Sequence, residues 1–135
     1  MTSARFVVSS MALPSSDGET VLRVEVPNDL VFFEGHFEGN PMLPGVAQVV
    51  ALVDAEARRA FPSLATRGAR GLGRLKFQAT IRPGDVLHLG LSLEPGAEPR
   101  VRFRIDRVTP ADAQAHERAT SGVLTYTAER HAPVP

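Results

Sequence analysis

The segment Phe32-Phe33-Glu34-Gly35-His36-Phe37-Glu38-Gly39-Asn40-Pro41-Met42-Leu43-Pro44-Gly45 sets a single imidazole among glycines, aromatics and prolines, directly ahead of an apolar run. An imidazole changes charge near neutral pH and accepts a proton when it is held against a substrate. Gly35 and Gly39 allow the backbone to turn, Pro41 and Pro44 stiffen it, and Phe32, Phe33 and Phe37 supply the apolar surface that buries it. Where such a loop runs into a helix, the first N–H groups of the helix lack intrahelical partners and can stabilise a negative oxygen. The segment is therefore suited to holding a base beside an oxyanion site.

The elements that must position this loop are legible on either side of it. Gly45 to about Phe61 reads as a helix, with Pro44 just before it and Pro62 closing it. Its first half, Val46 to Val53, is apolar nearly all round and is expected to be buried on most sides, while Asp54, Glu56, Arg58 and Arg59 mark the half that reaches solvent. Residues 5–12 and 19–26 read as a hairpin across Pro14 to Gly18. Four more strands follow the helix at about 70–81, 86–93, 100–108 and 116–128, separated by turns at Arg82-Pro83-Gly84-Asp85, Glu94-Pro95-Gly96 and Thr109-Pro110-Ala111-Asp112. In Arg100 to Ile105 the arginines alternate with apolar residues, the pattern of a half-exposed antiparallel strand. One buried helix and about six antiparallel strands predict an α+β domain in which a curved sheet wraps the helix.

The 135 residues fit a single domain over positions 1–135, with a frayed tail from about Glu129. Having no cysteine, the chain forms no disulfide and performs no thiolate chemistry. Fifteen basic and fifteen acidic side chains cancel, so no net field draws it to nucleic acid or an anionic membrane. No apolar run approaches the roughly 20 residues that span a bilayer, and Met1 to Pro14 lacks the pattern of a signal peptide. The expectation is a soluble, cytoplasmic protein without metal or cofactor.

Gly35-His36-Phe37, then Pro41, then Leu43-Pro44-Gly45-Val46, resembles the active-site segment of the FabA/FabZ-type beta-hydroxyacyl-acyl-carrier-protein dehydratases, which have the hotdog fold. Lys76-Phe77 followed by Ile81-Arg82-Pro83-Gly84-Asp85 resembles the strand of that family that enters a Pro-Gly-Asp turn. The resemblance implies that His36 takes the proton from C2 of an acyl thioester and that the Gly45 N–H polarises the thioester carbonyl. It also implies a homodimer, with the pocket between subunits, and a substrate carried on acyl carrier protein or coenzyme A in fatty-acid or polyketide-type synthesis. Phe33, Phe37, Pro44, Gln48 and Val50 are the substrate-lining candidates.

One departure stands out. The family places a Glu or Asp fourteen residues after the histidine to handle the departing hydroxyl, and this chain has Val50 there. A positioned acid contributes about 10²- to 10⁴-fold in rate. Asp54 lies one helical turn beyond, about 6 Å along the axis at 1.5 Å per residue, and is the substitute to consider, though its side chain is short. Gln48 can hydrogen-bond substrate or water but supplies no acidic proton. The gap leaves other classes open: a hotdog thioesterase with Gln48, Asn40 or a nearby carboxylate orienting water, a non-catalytic acyl-binding subunit, or a hetero-oligomer in which a related subunit brings the acid.

Elsewhere the residues read plainly. His88, His116 and His131 have no companion motif, and Val50 and Val53 read as core or as the wall of an acyl tunnel. Arg67, Arg70, Arg74 and Lys76 form the densest basic stretch, a solvated face or a dock for an acidic carrier protein, and lack the interleaved aromatics that binding a nucleic acid strand uses.

Overall fold

Alternating apolar and polar residues form strands before and after the helix. The computed structural model describes residues 6–10, 19–28, 45, 47–109 and 112–128. The strands are β1 (Val7–Ser10), β2 (Thr20–Glu25), β3 (Ala69–Phe77), β4 (Val86–Glu94), β5 (Arg100–Thr109) and β6 (Asp112–Tyr126). They form one six-stranded sheet in the order β1-β2-β4-β5-β6-β3, with every pair antiparallel.

The register makes the sheet two-faced. Directly opposed residues share a face, so Leu22, Leu89, Ile105, Thr120 and Phe77 form one row across five strands. Leu91, Phe103 and Gly122 form the next row. This face is apolar and packs on the helix through Val49, Leu52, Val53 and Ala57, all in the same core as Leu89, Phe103 and Tyr126. A sheet with one helix laid on its apolar face is the α+β hotdog arrangement expected from the sequence.

The helix differs in detail from the expectation. It is wound as a π-helix over Ala47–Asp54 and continues as α1 (Ala55–Ala60) into a short 3-10 turn, Pro62–Leu64. Val53 is core, but Val50 is 60% exposed and is not core within the chain. Glu56, expected in the solvent-facing half, is buried, because it faces a cleft beneath Phe6 and Val8 beside β1 and pairs with Arg59 at 3.3 Å.

Two turns fix the rest. At Arg82 to Asp85, Gly84 has φ 83°, the Arg82 N–H donates to Asp85 Oδ2 at 2.8 Å, and the Gly84 N–H donates to the Val26 carbonyl at 2.8 Å. Positive φ is why glycine is required there. Between β5 and β6 the pairing continues to Thr109 opposite Asp112, so β6 begins at Asp112 rather than at His116.

Candidate active site

His36, Phe33, Phe37, Asn40 and Pro44 lie outside the described residues. Gly45, Gln48, Val50 and Asp54 lie within them and define the helix side of the candidate site.

Gly45 has helical backbone and is half-buried, where the apolar loop would hand over to the helix. A Cβ at this position would lie 2.7 Å from Cζ of Phe77, so only glycine lets that ring close over the helix start. Phe77 is the β3 member of the row that includes Thr120. An aromatic ring packed against the helix backbone keeps the local dielectric low, which strengthens any stabilisation of an oxyanion there.

One turn on, Gln48 is 4% exposed, and its Oε1 accepts a 2.5 Å hydrogen bond from the Thr120 hydroxyl. Thr120 is fully buried at the end of the Leu22, Leu89, Ile105 row. The bond ties the helix to β6 and fixes the direction of the Gln48 amide.

Asp54 closes the π-wound segment and is also tied to β6. Its Oδ1 accepts the Tyr126 hydroxyl at 2.7 Å, and both its oxygens accept from Arg58 Nε, at 3.2 and 3.1 Å. Arg58 in turn donates to the carbonyls of Leu64 and Arg67 at 2.8 and 2.7 Å and sits 5.3 Å from the centre of the Tyr126 ring. Burial, and next the hydrogen bond to Asp54, hold the Tyr126 phenol above its ordinary range, so it remains a donor.

Thr120 and Tyr126 were missed by the sequence reading. Tyr126 is the sole tyrosine and falls on the apolar face of a strand, where a phenol needs a partner; that is the signal it carried. Thr120 carried none.

The basic stretch does not act as a unit. Arg67 donates to the carbonyls of Ser63, Ala97 and Thr127, and Arg70 pairs with Glu98 at 2.8 Å, so both serve the fold. Among the described residues no cluster of side chains could hold a metal ion, and no helix is long and apolar enough to cross a membrane.

A family model described as "ApeI-like: ApeI dehydratase" matches residues 13–120. The 3-hydroxyacyl-[acyl-carrier-protein] dehydratase FabZ of Oenococcus oeni is 40% identical over 67 residues, covering 47% of this chain and 48% of that protein. The chain thus spans about half the length of such curated relatives. Among solved structures, an uncharacterized protein from Erwinia carotovora subsp. atroseptica superposes with TM-score 0.70 at 27% identity, covering 92% of this chain and 95% of its own. The dehydratase heterocomplex ApeI:P from Xenorhabdus doucetiae gives TM-score 0.62 at 22% identity over 83% of this chain and 89% of that one, a likeness of fold.

Proposed function

Because the chain belongs to the ApeI-like dehydratase family, we propose that it acts on beta-hydroxyacyl thioesters carried on acyl carrier protein or coenzyme A, removing water to leave the enoyl thioester. His36 takes the C2 proton while the Gly45 N–H bears the charge that develops on the thioester oxygen. The C3 hydroxyl then leaves with a proton from an acid, so that one C–H and one C–O bond break and one C=C bond and one water form. Phe33, Phe37, Pro44 and Val50 shape the acyl path, and Gln48, held by Thr120, fixes its inner end.

The observation that carries this reading is the position of Gly45. Gly45 has helical backbone, with the Phe77 ring packed where a side chain would stand, and it follows directly on the Gly35-His36-Phe37 to Pro44 segment, inside the region the family model matches.

The acid is the open element of the mechanism. Val50 has no ionisable group, and the Asp54 carboxylate is already engaged by Tyr126 and Arg58. We assign the acid to a related subunit in a hetero-oligomer. The Xenorhabdus protein is named as a heterocomplex, which supports this arrangement without fixing it here.

The test is hydration of an enoyl thioester followed by loss of enoyl absorbance, with thiol release recorded in parallel. The purified chain is expected to turn over slowly, His36→Ala to abolish turnover, and Val50→Glu to raise it by about 10²- to 10⁴-fold. Thiol release without hydration would make it a thioesterase. An unchanged rate in His36→Ala would remove the mechanism.

A further inference from the structure

The sheet has a second face, turned away from the helix, that the proposed reaction does not use. Ser92, Arg102 and Val123 form one row on it, and Gly90, Arg104 and Ser121 form the next. Small residues in these rows leave a cleft of about 440 Å³, walled by Glu19, Arg74, Lys76 and Arg118. A Cβ at Gly90 would lie 2.5 Å from the Glu19 carboxylate and 2.8 Å from Arg104 Nε, so glycine is what lets that ion pair lie flat at the edge of the cleft.

The charges on these walls do not balance. Arg104 pairs with Glu19 at 2.7 Å and also with Asp106, Arg118 pairs with Asp106, and Arg102 reaches Glu94 at 2.7 Å. Arg74 and Lys76 make no ion pair among the described residues. Two cations therefore face a cleft whose other cations already have partners.

Their position is built into the strand. The pairing of β3 with β6 slips between Gly73 opposite Val123 and Lys76 opposite Ser121, a bulge that adds one residue to β3. Without it, Lys76 would point to the helix side. With it, Lys76 shares the outer face with Ser121, and Leu75 turns inward onto the core. The added turn rests on Arg74, the one described non-glycine residue with positive φ, at 51°. Glycine adopts that conformation freely and arginine does not, and Gly73 stands next to it. Retaining a long cation at a strained bulge beside a cleft is the kind of outlier that points to a ligand.

We propose that this cleft binds an amphiphilic phosphate monoester, its phosphate held by Arg74 and Lys76 and its organic part lying along Ser92, Ser121 and Val123. A phosphate monoester carries nearly two negative charges at neutral pH, matching the two cations without an ion pair among the described residues. The guanidinium fork suits phosphate oxygens, and the ammonium adds a point charge. The site lies across the sheet from Gly45 and does not depend on the dehydratase reading.

The experiment is calorimetric titration of the purified protein with hexyl phosphate at low salt, with inorganic phosphate and hexyl sulfate alongside. Hexyl phosphate is expected to bind saturably, and each of the other two about tenfold more weakly, since one lacks the alkyl chain and the other the second charge. Arg74→Gly and Lys76→Ala are each expected to weaken hexyl phosphate by about tenfold or more. Arg74→Gly should melt no lower than wild type, because glycine relieves the positive φ, and this separates lost binding from lost structure. No saturable binding by the wild type, equal binding by the variants, or hexyl sulfate matching hexyl phosphate would each overturn the proposal.

Discussion

His88 shows how a single side chain sets a pH response. Its ring meets His116 edge to face, with centroids 4.6 Å apart, and lies in a row with Arg23 and Asp106. Burial, then the charge of His116, pull its pKa below the ordinary 6.5; Arg104 and Arg23 add to this and Asp106 opposes it. A histidine whose folded pKa lies below its unfolded value is neutral in the fold while the unfolded chain is already taking up a proton. Its contribution is therefore complete above pH 6.5 and is lost as pH falls through that value toward the folded pKa. Urea unfolding from about pH 8 to about pH 5 should show a falling midpoint in the wild type and a shallower fall in His88→Gln. Equal slopes in the two proteins would assign the pH dependence to other groups. None of this was legible from spacing, because His88 and His116 meet only through the register of β4, β5 and β6, whereas the role expected of Gly45 followed from its neighbours Pro44 and His36.

Between elements, the sheet depends on glycine where strands must share space with aromatic rings. Gly122 of β6 lies directly opposite Phe103 of β5, and a Cβ there would stand 2.8 Å from Phe103 Cζ and 3.3 Å from Leu75 Cδ1. Phe103 is 2% exposed and cannot swing away, unlike the flexible Glu19 and Arg104 tips that face Gly90. Gly122→Ala should therefore destabilise the protein by about 1–3 kcal/mol through overpacking, measured as a lower urea midpoint at unchanged slope. A neutral effect would mean that β5 and β6 can move apart without loss. The strands themselves were legible, since alternation and Pro-Gly or Gly-Asp turns announce them. The π winding of Ala47–Asp54 was not, because a run apolar on nearly all sides carries no period from which its pitch could be read. The ties from Gln48 to Thr120 and from Asp54 to Tyr126 were equally hidden, since each joins residues 72 positions apart.

Among the described residues, the sheet ends at β3. β3 closes the sheet order, and its nine residues are all exposed or half-buried. An edge of that length offers a row of backbone donors and acceptors to a neighbour. The bulge at Arg74 and the charges of Arg70, Arg74 and Lys76 protect part of it, but Leu72 and Phe77 remain 42% and 52% exposed, and Val50 on the helix is 60% exposed. Apolar side chains exposed at an edge, beside the site whose acid is proposed to come from a related subunit, are what a missing subunit would explain. A partner seated on β3 would cover Leu72 and Phe77, and a second hotdog chain in that place could present a carboxylate near Val50. Sedimentation should accordingly find the wild type as a dimer or larger assembly, and Leu72→Lys should raise the dissociation constant by about tenfold or more by burying an unpaired cation. A wild-type monomer at high micromolar concentration would show that β3 does not pair two copies of this chain, and would leave that edge to the related subunit.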